Sequence, residues 1–192
     1  MEQIELKRLT LDDLHLVYTR DLVRDFPPEE RKPLSAMEKL YAAGRYDLWG
    51  LFQEGELSAY ALLWRDPEGN FVLLDYLGVC QGKPRGMGIG TVMVKALMEA
   101  YAAASGILVE AEAEDSGLPD GEASVRRRRL DFYRQLGFRE LNYIARIFGV
   151  RYAMFLSGER PEGEAMDAHQ RLYHYEFTPW LYDRFVQIPE RE

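Results

Sequence analysis

The chain has 192 residues, a formal net charge of −8 and a single cysteine. That length suits one domain able to bury a substantial core, the lone Cys80 excludes an internal disulfide framework, and the acidic balance argues against a nucleic-acid partner, which requires a basic surface for phosphate contacts. No apolar run approaches the ~18 residues of a membrane span and the first residues lack a signal peptide, so a cytoplasmic protein with no membrane partner is expected.

In chain order, residues 4–9 read as a first strand. Thr10 then caps a helix, with Asp13 in its first turn and Leu9 set to pack on Leu14. The helix should run to about residue 24, because Pro27 and Pro28 cannot continue it. Ser35-Ala36-Met37-Glu38 has the form of a capping box, which predicts a second helix over 36–43 ended by Gly44. Two strands are expected at 47–53 and 57–65, with Glu54-Gly55 as the first turn and Asp66-Pro67-Glu68-Gly69 as the second.

Residues 71–79 are rich in aliphatic and aromatic side chains and read as a mostly buried strand. Directly after it, Gly86, Gly88 and Gly90 alternate with Met87 and Ile89, so the backbone can curl and offer several N–H groups to one ligand. Beyond Thr91 the pattern turns helical, with Met93, Leu97, Ala100, Tyr101 and Ala104 at helical spacing. Strand, glycine turn and helix N-terminus together make an anion site. The spacing does not fit a dinucleotide fingerprint, and no Lys-Ser or Lys-Thr follows for a mononucleotide P-loop.

A strand is next expected at 107–114. There Glu110, Glu112 and Glu114 alternate with Val109, Ala111 and Ala113, placing three carboxylates on one face. Such a row can attract an ammonium group and supply a general base, with Glu110 the first choice and Asp75 in the 71–79 strand the second; a merely solvated face is the alternative. Residues 114–122 read as a loop and 123–136 as a helix. Its consecutive Arg126, Arg127, Arg128 and Arg129 spread over roughly 300° of the helix. Arg129 falls on the stripe of Val125, Phe132 and Leu136 and is expected to pair with the acidic row or with a ligand, the other three being mostly solvated. Strands follow at 138–144 and 150–156. His15, His169 and His174 have no metal-ligand spacing, so no metal is expected, and Cys80 reads as a small buried residue rather than a nucleophile. After Gly158 come a charged turn, a helix over 165–175 and another starting at Thr178-Pro179-Trp180. The aromatic content of this tail must be covered, either within the chain or in a homodimer.

Arg85-Gly86-Met87-Gly88-Ile89-Gly90 resembles the acetyl-CoA-binding motif of the GNAT superfamily of N-acetyltransferases: Arg or Gln, two residues, Gly, one residue, then Gly or Ala. Phe132-Tyr133-Arg134-Gln135-Leu136-Gly137-Phe138 resembles a second family segment, where a helix ends and a strand begins. The resemblance implies a single α/β domain over 1–192, with 159–192 an aromatic-rich extension. Its fold would be a mixed, largely antiparallel central sheet flanked by helices, with strands four and five splayed around CoA. It further implies that Arg85, Gly86, Met87, Gly88, Ile89, Gly90 and Thr91 hold the CoA pyrophosphate, and that Leu77, Gly78 and Val79 pair with the pantetheine arm. Tyr133 would be the general acid, and Glu110 or Asp75 the base. Arg126 and Arg129 depart from the Asn and Ala common in the family. The implied reaction is direct transfer of an acetyl group from acetyl-CoA to the primary amine of a small molecule or peptide. The alternatives are a non-catalytic acyl-CoA-binding or regulatory module and, more weakly, a structural domain whose glycine turn binds nothing.

Overall fold

The computed structural model describes residues 4–83, 88–115 and 118–191. The architecture is mixed α/β, with largely antiparallel strands flanked by helices. The chain divides into two units, Met1–Arg65 with Leu74–Ala100 and Asp66–Leu73 with Tyr101–Glu192.

In the first unit, β1 (Ile4–Arg8) pairs antiparallel with β2 (Tyr46–Gln53), and β2 with β3 (Glu56–Arg65). The order continues to β4 (Phe71–Val79), of which the residues from Leu74 onward belong here. Glu54 and Gly55 both have positive φ, 51° and 83°, which is the two-residue turn whose twist matches its strands. Thr10 caps α1 (Leu11–Val17) as its sequence predicts. Its Oγ1 accepts the Asp13 N–H at 3.2 Å, and the Asp13 carboxylate accepts the Thr10 N–H at 2.8 Å. Leu9 and Leu14 are both buried.

A π-helical turn, Tyr18–Leu22, then leads into the short α2 (Val23–Asp25), a widening that the hydrophobic period did not signal. Its consequence is the placement of Asp21, a carboxylate with no solvent exposure. Asp21 accepts the Gln81 N–H at 2.8 Å, the Arg20 Nε at 2.8 Å and an Arg24 guanidinium nitrogen at 3.3 Å. The π turn therefore ties down the chain leaving β4. The next helix, α3 (Leu34–Ala42), starts at Pro33 and not at Ser35. Proline's preset φ and missing N–H suit a helix entrance, and Ser35 falls in the first turn. Gly44, at φ +69°, ends it as expected. Helix α4 (Ile89–Ala100) begins three residues ahead of the start expected beyond Thr91 and buries Ile89, Met93, Val94 and Leu97; Tyr101 and Ala104 lie beyond its end.

In the second unit, the Asn70 carbonyl accepts the Ser105 N–H at 2.8 Å, starting β5 (Gly106–Glu112) in the same direction as the first residues of β4. The strand order runs on from β5 to β7 (Val150–Leu156), β6 (Arg139–Ile147) and β8 (Val186–Gln187), every pair antiparallel. Because β5 stops at Glu112, Glu114 leaves the expected row and meets Arg127 at an exposed site, 3.1 Å away. Helix α5 (Asp120–Gln135) starts one turn earlier than the sequence suggests, again behind a proline, Pro119. It closes at Gly137, φ +85°, with the Phe138 N–H on the Tyr133 carbonyl at 3.1 Å.

The tail is built into this unit. Helix α6 (Glu162–Glu176) buries Ala165, Ala168, His169, Leu172 and Tyr173; α7 (Pro179–Phe185) follows, and β8, absent from the sequence reading, joins β6. Truncating Asp21→Ala would leave the Gln81 amide and two guanidinium groups facing a buried gap. The expected loss is about 3 kcal/mol of stability, measured as a lower urea midpoint.

Candidate functional site

In the first unit the candidate residues gather at the end of β4 and the start of α4. Gly88, at φ +77°, is the residue before the helix, and its carbonyl accepts the Val92 N–H at 2.9 Å. The amides of Ile89, Gly90 and Thr91 thus precede every intrahelical acceptor and point from the positive end of the helix dipole. A Cβ at Gly88 would meet nothing within 4 Å among the described residues, so the glycine answers a backbone need. Arg85, Gly86 and Met87 lie outside the described residues.

Leu77, Gly78 and Val79 close β4 and are half-buried. A side chain at Gly78 would collide with the Tyr60 ring, so the backbone lies directly on that ring. Arg24 donates to the Val79 carbonyl at 2.9 Å, and the Cys80 N–H donates to the Ser58 carbonyl at 2.9 Å. Burial, followed by the Asp21 carboxylate, pushes the Cys80 thiol up to about 11. It therefore stays protonated at neutral pH and lacks the thiolate that a nucleophile needs.

Asp75, in mid-β4, has both oxygens engaged. The Lys32 ammonium donates to Oδ1 at 2.7 Å and the Tyr46 hydroxyl to Oδ2 at 2.5 Å. Lys32 also stands 4.6 Å from the centre of the Trp64 ring. Burial first, and Asp75 next, raise the Tyr46 phenol well above its ordinary value, which keeps it a donor.

In the second unit, Glu110 and Glu112 share one face of β5 but meet different partners. Glu112 is clamped between cations: Arg126 reaches Oε1 at 3.1 Å and Arg129 reaches Oε2 at 2.8 Å. The expected pairing of Arg129 with the acidic row is present, but the most enclosed arginine is Arg126, which also holds the Ala113 carbonyl, Glu122 and Asp115. The reason is the helix face. Leu130 and Tyr133 are the buried residues of α5, and Arg126 precedes them at i−4 and i−7, whereas Val125 is 47% exposed.

Glu110 meets an imidazole and a phenol instead. His169 Nε2 lies 2.7 Å from its Oε1 and the Tyr173 hydroxyl 2.9 Å from the same atom. Behind them the Tyr143 hydroxyl sits 3.2 Å from His169 Nδ1. Among the described residues no donor reaches Glu110 Oε2. His169, Tyr173 and Tyr143 escaped the sequence reading. The available signal was His169 and Tyr173 at i and i+4 on the helix face that also carries Ala165 and Leu172.

Tyr133, in the last turn of α5, is surrounded by Phe132, Phe138 and Phe155 at ring separations of 5.2, 5.6 and 5.9 Å. Burial raises its phenol to about 12, against a lesser lowering by Arg129, so it holds its proton at neutral pH. Among the described residues no group of three or more His, Cys, Asp or Glu is placed to hold a metal ion, and no helix is long and apolar enough to cross a membrane.

The sequence model of the acetyltransferase (GNAT) family matches residues 14–138. No curated protein sequence matches the chain. Among solved structures, the chain is similar to the ribosomal-protein-S18-alanine N-acetyltransferase of Escherichia coli, at TM-score 0.56 and 18% identity over 83% of this chain and 99% of that one. It is also similar to a mutant spermidine N-acetyltransferase of Vibrio cholerae, at TM-score 0.58 and 13% identity over 81% and 93%. A Bacillus subtilis acetyltransferase solved in complex with CoA matches at TM-score 0.54 and 14% identity, over 83% of this chain and all of that one.

A phenol whose pKa is higher folded than unfolded stabilises the fold fully below its unfolded value, and that contribution is lost as pH rises through the folded value. For Tyr133 the window runs from 10 to about 12. Between those pH values the urea midpoint of the parent chain should fall further than that of Tyr133→Phe, by up to about 3 kcal/mol in unfolding free energy.

Proposed function

The chain belongs to the acetyltransferase (GNAT) family, and from that membership we propose that it transfers an acetyl group from acetyl-CoA to a primary amine of a small molecule or peptide by direct attack. The observation carrying this reading is the contrast among the enclosed carboxylates. Asp75 and Glu112 have a donor on each oxygen, whereas at Glu110 both donors fall on one oxygen and, among the described residues, none reaches the other. A general base needs an oxygen able to receive a proton.

In this proposal the amides of Ile89, Gly90 and Thr91, together with the preceding Arg85, Gly86, Met87 and Gly88, bind the CoA pyrophosphate, as an anion fits a helix start. The backbone of Leu77, Gly78 and Val79 orients the pantetheine arm. The amine nitrogen attacks the thioester carbonyl, a C–N bond forms and the C–S bond breaks. Glu110 Oε2 takes the amine proton and the Tyr133 hydroxyl gives its proton to the departing thiolate sulfur. A phenol raised by burial suits that duty, because it arrives protonated. Asp75, second in the sequence reading, is the weaker base on this geometry and holds Lys32 instead.

An amine acceptor agrees with two of the similar structures, both N-acetyltransferases by name, and the net charge of −8 favours encounter with a cation. The proposal includes a cytoplasmic site of action and requires neither nucleic acid nor membrane; a homodimer is compatible with it.

Calorimetric titration with acetyl-CoA, followed by a free-thiol assay over a panel of amines, tests the reading. Saturable binding and amine-dependent thiol release are expected, with turnover falling about 100-fold in Glu110→Gln while acetyl-CoA affinity is unchanged. Binding with no release on any amine would leave an acyl-CoA-binding module, and absence of binding would leave a structural domain.

A further inference from the structure

Each oxygen of a carboxylate offers two lone-pair positions. At Glu110 both partners fall on Oε1, from His169 at 2.7 Å and Tyr173 at 2.9 Å. They come from one face of α6, four residues apart, and His169 has no solvent exposure. Helix α6 lies beyond residues 14–138, the segment that the family model matches. The partners of the proposed base are therefore supplied by a part of the chain outside that match.

Chemistry assigns the protons on this chain of groups. A carboxylate only accepts, so His169 Nε2 carries its hydrogen toward Glu110. Nδ1 then accepts a hydrogen bond from the Tyr143 hydroxyl in the neutral ring, or donates one to that oxygen in the imidazolium. Either way the ring is held at both nitrogens, edge-on to Tyr173 at 5.5 Å. The other neighbours of Glu110 do not compete. Met154, opposite it on β7, is apolar, and Glu112, next on its face of β5, is neutralised by Arg126 and Arg129. On α6, Glu162 acts on Tyr143, whose phenol burial raises first and the Glu110 and Glu162 charges raise further.

From this geometry we infer that His169 and Tyr173 are positioning residues for the base: they pin Glu110 through Oε1 and stabilise its anion, leaving Oε2 as the oxygen that takes the acceptor's proton. The inference rests on the proposed role of Glu110. Two donors from different rings fix the position of Oε1, which a single hydrogen bond would hold less firmly. Both donate to the charged form, so losing either makes the carboxylate easier to protonate.

The test is the pH profile of amine-dependent thiol release by the full chain, comparing the parent with Glu110→Gln, Tyr173→Phe, His169→Leu and His169→Gln, each checked for folding by its thermal melt. Tyr173→Phe removes one oxygen and keeps the ring, so it covers the case in which His169→Leu does not fold. The expected result for Tyr173→Phe is a kcat about tenfold lower with the KM for acetyl-CoA unchanged, and an acid limb displaced about one unit upward. His169→Gln, which can still place an amide N–H near Oε1, should recover much of what His169→Leu loses. If Glu110→Gln turns over like the parent, the base assignment fails and this inference with it. If Glu110→Gln is slow while Tyr173→Phe keeps both the parent kcat and the parent acid limb, the positioning role is overturned and the base assignment stands.

Discussion

A carboxylate withdrawn from water keeps its charge only where donors replace the water it has lost. Most of what is distinctive in this chain follows from how that demand is met at one acidic residue after another. Asp21 is met by two arginines and a backbone amide, and so fastens the chain leaving β4 to the π-helical turn. Asp75 is met by Lys32 and Tyr46, drawing the segment between α2 and α3 onto β4. Glu112 is met by two arginines of α5, which holds that helix on β5. Saturated carboxylates of this kind are structural, whatever their position in the sheet.

Glu110 satisfies the same demand by other means. Its partners are an imidazole and a phenol, and both bind one oxygen. An arginine fork would have occupied both oxygens; partners on one side leave the other without a donor among the described residues. Tyr133 complements it in the opposite sense. It is enclosed by aromatic rings rather than ions, so burial dominates and the phenol keeps its proton. In the proposed reaction Glu110 would accept the proton of the amine and Tyr133 would give its own to the departing thiolate.

The elements of this fold were legible where local chemistry decides them. Thr10 with Asp13, the Glu54-Gly55 turn, Gly44 and Gly137 all act through backbone geometry within a few residues, and each appears as its sequence indicates. Boundaries moved where a proline precedes the helix, as at Pro33 and Pro119. The arginine run shows the other limit. Which of four consecutive residues faces inward depends on the helix's rotation about its axis, and Leu130 and Tyr133 decided that in favour of Arg126 over Arg129.

What the sequence by itself determined is the order of strand and helix around the glycines and the acidic face of β5, because these depend on period and spacing, and the resemblance to the family, which rests on its motifs. Only the tertiary structure decided which carboxylate is left half open. That distinction required α6, some sixty residues along the chain, to bring His169 and Tyr173 onto Glu110. Hydrogen bonds between side chains so far apart in sequence leave no periodic trace, since their partners are chosen by the packing of whole elements and not by their neighbours in the chain.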